Sequence, residues 1–234
     1  MPLSNSIRWM PLLAVIAVGS ISAQEITGEV EELSYKMGYD IGQRMRDLGI
    51  QDFDSNAFRL GAEDAMAEGE SRLTEEQVQN ALATLKRIQD EEMTRKREEL
   101  AQAASNNMKI GQDYLEDNKA RDGVTVTESG LQYEVVEMAE GPRPVATDTV
   151  KVHYRGTLID GTEFDSSYSR GQPAVFPLNR VISGWTEGLQ LMPVGSKFRF
   201  VIPSDLAYGG RNQGNIGPNS TLVFDVELLS IEQQ

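Results

Sequence analysis

Five aromatic residues in the C-terminal half of the chain, Tyr154, Phe164, Trp185, Tyr208 and Phe224, sit on separate short segments, and a single carboxylate, Asp165, adjoins one of them. What chemistry could such a set perform? The stretch offers no nucleophile beside a base and no pair of buried acids. The chain's one histidine, His153, falls on the outward side of its strand pattern. Thiol catalysis, disulfides and a Cys/His metal cluster are excluded by the absence of cysteine. The glycine-rich run from Gly209 to Gly217 lacks the GK[ST] sequence of a phosphate cradle. What remains is an apolar hollow with few polar groups, which suits an uncharged, ring-shaped ligand such as proline. Taken singly, Trp185 and Phe224 read as core, Asp165 as a turn cap and His153 as a solvated strand residue. Their joint order is what points to a site.

The elements that must position these groups follow from periodicity. Val150, Val152, Tyr154 and Leu158 share one face of an extended segment, with Lys151, His153 and Arg155 on the other. Asp160-Gly161 reads as a two-residue type I′ hairpin turn, after which a strand starting at Thr162 delivers Phe164 and Asp165. From Ser183 the period lengthens: Trp185, Leu189 and Met192 lie on one side of a short helix that Pro193 stops. Phe198, Phe200 and Ile202, then Leu222, Phe224, Val226 and Leu228, mark two further one-sided strands, and Leu131, Tyr133 and Val135 alternate upstream. The pattern predicts an antiparallel sheet folded over one short helix.

The motifs VHYRGTLIDGTEFDSS, VISGWTEGL, DLAYG and LVFDVELL, in this order, resemble the FKBP-type peptidyl-prolyl isomerases over roughly Gly130 to Ile231. The resemblance implies a five-stranded antiparallel sheet wrapped around a short helix, and interconversion of the cis and trans forms of the bond before proline, with no metal and no cofactor. By position, Tyr154, Phe164, Asp165, Phe176, Val181, Ile182, Trp185, Tyr208, Ile216 and Phe224 line the pocket, with Trp185 as its floor. Asp165, Tyr208 and Tyr154 carry the catalytic roles: Tyr208 and the Ile182 amide hold substrate carbonyls, while Tyr154 orients Asp165. Smaller members have an aromatic at Ala174, an acid at Arg180, and a histidine in the loop where this chain has Arg211, Asn212 and Gln213. These departures bear on macrolide inhibitors, an implied ligand class, and on the rim of the pocket.

The chain has 234 residues and a formal charge of −14, with its acids spread along it, which argues against a nucleic-acid surface. Arg8, the apolar run from Met10 to Val18 and the small residues Gly19 to Ala23 read as a signal peptide over 1–23. The mature protein is then expected in the periplasm or secreted, without a membrane span. Leu33, Met37, Ile41, Met45 and Leu48 recur on one helical face, and Phe53, Ala57, Leu60, Met66 and Ala67 suggest a second helix. Thr74 to Gln77 is a capping box opening a helix to about Lys119, roughly 65–70 Å long at about 1.5 Å per residue. Val78, Leu82, Leu85 and Ile88 form its first apolar stripe, Gly111 is a place for bending, and Met108, Ile110, Tyr114 and Leu115 resume contact near the second domain.

SYKMGYDIG and FRLGAEDAMAEGESRLTEEQVQNAL are similar to the N-terminal domain of the macrophage infectivity potentiator and FkpA-like periplasmic isomerases. That similarity implies a homodimer with Met37, Ile41 and Met45 at the contact. The expected fold is α+β: a helical dimerisation domain over 24–73, a long connecting helix over 74–120 and an isomerase domain over 121–234. The expected function is exported prolyl isomerisation of unfolded or partly folded polypeptides, joined to chaperone activity. Two alternatives stay open: a catalytically silent FKBP-like binding module or chaperone, and a purely structural dimer or adhesin.

Overall fold

The computed structural model describes residues 25–232, so the expected signal segment lies outside the described residues. Two compact units divide between Gln89 and Asp90.

The first unit is helical. Helix α1 spans Glu29–Asp47, with Glu29, Glu31 and Glu32 in its first turn and Arg44 and Arg46 in its last, charges that complement the helix dipole. Gly49, at φ +81°, ends it, its N–H donating to the Arg46 carbonyl. Helix α2 spans Ser55–Met66 and is capped by the Asp54 carboxylate, which accepts from the Asn56 and Ala57 amides. Phe53, expected on this helix, precedes it and meets Phe58 edge-on at 5.3 Å. Helix α3 spans Glu75–Lys119. Its capping box forms: the Thr74 amide donates to Gln77 Oε1 (2.8 Å) and the Gln77 amide to Thr74 Oγ1 (3.3 Å). Neither α1 nor α2 buries a residue; Met37 is 57% exposed, while Ile41 and Met45 are half-buried.

The second unit contains an antiparallel sheet of seven strands: β1 (Val124–Val126), β2 (Gln132–Glu137), β3 (Thr149–Leu158), β4 (Glu163–Ser166), β5 (Ala174–Pro177), β6 (Lys197–Ile202) and β7 (Leu222–Glu232). Seven strands stand where five were expected; their order is β1-β2-β6-β7-β3-β4, and β5 pairs with β3 on the same side as β4, so that these two short strands share one edge. Helix α4 (Ser183–Gln190) packs into the sheet's concave face with Trp185 and Leu189 buried. Two glycines permit the approach: a Cβ on Gly184 would stand 2.5 Å from Ile202, and one on Gly188 would stand 2.7 Å from Phe200. The alternating residues Val150, Val152, Tyr154, Phe198, Phe200, Phe224 and Val226 all face this core.

Several expectations are corrected. The β3–β4 turn is not a two-residue type I′ turn, which requires positive φ at both central residues. Instead the Leu158 amide donates to the Thr162 carbonyl across three residues, and only Gly161 (φ +88°) is left-handed there. The strands are not one-sided. Gln132, Val201, Val223 and Thr157 are cross-strand neighbours on the opposite face, and all four are buried. The end of α3 lies at that row: Gln132 Nε2 donates to the Leu115 carbonyl (2.9 Å) and Asn118 Nδ2 to Gln132 Oε1 (2.8 Å). Gly111 is a packing residue within a continuous helix, since a Cβ there would stand 2.5 Å from Thr221 Oγ1. Tyr114 and Leu115 are half-buried as expected, joined by Asn107, Gly111 and Asn118; Ile110, 49% exposed, still borders a small hollow with Leu158 and Thr221, whereas Met108 is 49% exposed. Val135 is 37% exposed, beside a register shift in the β2–β6 pairing. His153 is half-buried, stacked on Tyr168 at 4.6 Å and hydrogen-bonded through Nδ1 to Ser167 Oγ at 3.0 Å.

Candidate functional site

The aromatic residues converge because each comes from the inner face of a different element around α4. Trp185 lies at the bottom of the cup, 4% exposed. Tyr154 from β3, Phe176 from β5 and Phe224 from β7 surround its indole with ring centroids 5.1, 5.4 and 5.2 Å away and planes inclined by 88°, 88° and 77°. Phe164 from β4 meets Phe224 edge-on at 5.5 Å. Such edge-to-face contacts suit the aromatic quadrupoles and leave the rings standing as walls. Above the indole is a cavity of about 690 Å³, lined by these five rings with Asp165, Val181, Ile182 and Tyr208, and with Arg180, Ser183, Asp205, Ala207 and Arg211. Ile216, 6% exposed, faces an adjoining hollow of about 290 Å³ that shares Phe164, Asp165 and Tyr208 with the main cavity. All ten sequence-predicted pocket residues are therefore brought to these two joined spaces, whereas Met37, Ile41 and Met45 lie on α1 in the first unit.

The polar groups beside Phe164 and Tyr154 are ordered. Asp165 accepts a short hydrogen bond from the Tyr154 hydroxyl and is bound by Arg170, whose Nη2 also donates to the Tyr154 oxygen at 2.8 Å. The Arg170 guanidinium lies 5.5 Å from the centre of the Tyr154 ring. Burial would push the Asp165 carboxyl up, but the hydrogen bonds from Tyr154 and Arg170, together with the arginine's charge, outweigh it and hold the group below the usual carboxylate range. Burial, and then the bond to Asp165, push the Tyr154 hydroxyl up, so it stays a donor. Among the described residues the Tyr208 hydroxyl and the Ile182 amide have no hydrogen-bond partner, which leaves two donors free at the cavity. Trp185 Nε1 is also buried without a partner.

Sequence reasoning missed Arg170. Its signal was slight: a cation five residues beyond Asp165, in a turn that Gly171 (φ +71°) closes by donating to the Tyr168 carbonyl. That turn brings the guanidinium back onto the carboxylate. The arrangement holds no nucleophile poised against a base. What it presents is an aromatic cup, a carboxylate, Asp165, fixed in place at its edge, and two free donors.

Residues 141–229 match the family described as FKBP-type peptidyl-prolyl cis-trans isomerase, and residues 30–135 match the domain amino terminal to FKBP-type peptidyl-prolyl isomerase. The chain is 46% identical to the FKBP-type peptidyl-prolyl cis-trans isomerase FkpA of Aeromonas hydrophila, over 94% of this chain and 84% of that one. It is 40% identical to the outer membrane protein MIP of Legionella longbeachae, over 96% and 95% of the two chains. Among solved structures it resembles FkpA from Escherichia coli with a TM-score of 0.62 and 38% identity, covering 89% of this chain and 99% of that one.

Proposed function

Because the chain belongs to the FKBP-type peptidyl-prolyl cis-trans isomerases, we propose that its aromatic cup catalyses X–Pro isomerisation without covalent chemistry, by favouring the twisted amide over the planar one. Rotation about a peptide bond is opposed by a resonance barrier of about 18–20 kcal/mol, and an X–Pro bond exchanges over tens of seconds or longer. At the twisted transition state the resonance is lost and the carbonyl is less polar. A proline ring seated between Tyr154, Phe164, Phe176 and Phe224 on the Trp185 floor displaces the water that stabilises the planar form. Val181 and Ile182 close one side, and Ile216 extends the wall toward residues beyond the proline.

The free Tyr208 hydroxyl and the free Ile182 amide are the donors that hold substrate carbonyls on either side of the ring. Asp165, held ionised and in place by Tyr154 and Arg170, supplies a fixed negative charge beside the twisting carbonyl carbon. The observation that carries this reading is the cavity over the Trp185 indole with two unpartnered donors at it. A protease-coupled assay on a short X–Pro peptide tests it. Asp165→Leu and Tyr208→Phe are each expected to lower kcat/KM at least about tenfold, a loss of about 1.4 kcal/mol of transition-state stabilisation. Wild-type rates in both variants would remove these roles, and an inert wild type would favour the silent binding module.

The rest of the chain serves the same activity. Residues 24–73 form a dimerisation domain, residues 74–120 a connecting helix and residues 121–234 the isomerase domain. The exposed or half-buried apolar residues Met37, Ile41 and Met45, on a helix with no buried residue, support a homodimer contact there. Two cups on one scaffold then hold an unfolded, proline-containing polypeptide at two points, which raises effective concentration and gives chaperone activity. The signal-like segment over 1–23 supports export to the periplasm, and the relative named as an outer membrane protein supports association with that membrane. Among the described residues no helix is long and apolar enough to cross a membrane. Macrolides fit the same cup, with weaker contacts where Ala174 replaces an aromatic.

A further inference from the structure

The hollow beside Ile216 is shaped by the loop 209–219. Its tip is exposed from Gly210 to Asn215; Gln213 and Ile216 exchange backbone hydrogen bonds of 2.9 and 3.2 Å, and the Arg211 amide and Nε each donate to the Tyr208 carbonyl at 3.3 Å. The loop closes at its root, where the Asn219 amide donates to the Gly209 carbonyl at 2.7 Å. Both root residues are left-handed, Gly209 at φ +58° and Asn219 at φ +57°, a conformation that asparagine tolerates better than most residues. With so little internal pairing, the loop depends on burial of Ile216 and on what holds its root.

At the Gly209 end the hold is local, its amide donating to the Ser204 carbonyl at 2.9 Å; at the Pro218–Ser220 end the grip comes from α3, more than a hundred residues away in sequence. Asn107 Nδ2 donates to the Pro218 carbonyl at 2.9 Å and reaches Ser220 Oγ at 3.4 Å. Asn219 Nδ2 reaches back to the Ala104 carbonyl at 3.4 Å. The two 3.4 Å contacts are long, so the bond to Pro218 is the main tether. The fit leaves no slack: a Cβ on Gly217 would stand 2.9 Å from Asn107 Nδ2, and one turn along the helix Gly111 abuts Thr221. Pro218 and Ile216 are both buried, so the tethered carbonyl lies two residues from the pocket wall.

We propose that Asn107 is a positioning residue for isomerisation: by holding the root of the 209–219 loop it keeps Ile216 and Tyr208 in place at the pocket. The proposal rests on the prolyl-isomerase reading of that pocket. It makes the last turns of α3 part of the catalytic unit and moves the start of the smallest fully active fragment upstream of Asn107.

Two variants of the full chain test it, Asn107→Ala, which removes the donor, and Gly217→Ala, which puts a methyl group where that donor sits while φ there needs no glycine. Activity is measured on a short X–Pro peptide, and amide hydrogen exchange is followed at Ile216 and Asn219, with Phe200 and Phe224 as core references. Both variants are expected to lower kcat/KM by roughly three- to tenfold, the range for losing one hydrogen bond, and to speed exchange at Ile216 and Asn219 while the core amides keep their rates. Unchanged loop exchange would overturn the tether. Faster loop exchange with intact kcat/KM would overturn its service to the pocket, and equal acceleration at Phe200 and Phe224 would reduce Asn107 to a stability residue. Failure of the pocket reading is distinct, because the wild type would then not accelerate isomerisation at all.

Discussion

Replacing Gly156 by alanine is expected to close the pocket from behind without disturbing the backbone of β3. Gly156 is paired with Asp165 on β4 and with Phe224 on β7, and its φ lies outside the left-handed region, so alanine can adopt its conformation. A Cβ there would stand 2.7 Å from ring carbons of both Phe164 and Phe224, whereas ordinary contact begins at 3.4 Å, so each ring must retreat by about 0.7 Å. Phe224 already touches Trp185, with centroids 5.2 Å apart, and Phe164 touches Phe224. The retreat therefore goes into the cavity. Overpacking typically costs about 1–3 kcal/mol, and alanine recovers about 0.5–1 kcal/mol of that in a strand, leaving a net loss of about 0–2.5 kcal/mol. In a chain of this size that lowers the melting midpoint by about 2–4 °C for each kcal/mol. Activity should suffer more, because misplacing a pocket wall by most of an ångström can cost about a hundredfold, and at least about tenfold is expected in kcat/KM. A protease-coupled assay at low temperature, where uncatalysed exchange takes minutes, reads the rate; thermal unfolding reads the stability. A variant with full kcat/KM and a lowered midpoint would show that the two rings do not shape the reaction. One unchanged in both would refute the steric argument itself.

Other outcomes follow from the same geometry. The depressed native pKa of Asp165 means its contacts are present above the unfolded carboxylate value and are lost only as pH falls through the native one, so kcat/KM should be flat between about pH 5 and 8. Arg170→Met removes a hydrogen bond and a cation that oppose the effect of burial, and should move the acid limb of the rate profile to higher pH; an unmoved limb would separate Arg170 from Asp165. Trp185→Ala should abolish measurable isomerisation and lower stability by about 3–5 kcal/mol, read by denaturant unfolding, since a nearly buried indole leaves a cavity among three rings. Asn118→Ala strands the Gln132 Oε1 acceptor beneath α3 and should lower stability by about 1–3 kcal/mol while leaving kcat/KM within twofold of the wild type. Deleting residues 24–72 should convert a dimer to a monomer by mass in solution, and a full-length protein already monomeric would remove the dimer proposal.

Local order along the chain determined much of this protein. Period-two alternation placed Val150, Val152, Tyr154, Phe200 and Phe224 on the inner face before any partner was known, because side chains of a strand alternate whatever lies above them. The shift to a helical period at Trp185 and the capping box at Thr74 were equally local, the latter requiring only residues three apart. Tertiary structure alone decided the rest. Whether the second face of the sheet is wet or dry depends on a helix that arrives from another part of the chain, so burial of Gln132, Val201, Val223 and Thr157 had no local signature. Gly111 looked like a hinge because its short-range helix penalty is visible in sequence, while the Thr221 side chain that forbids a Cβ there is not. The ion pair of Arg170 with Asp165 and the tether from Asn107 to Pro218 are set by where turns and helices deliver charges and amides in space. Spacing reports which face a residue shares, and only the closed fold reports what stands across from it.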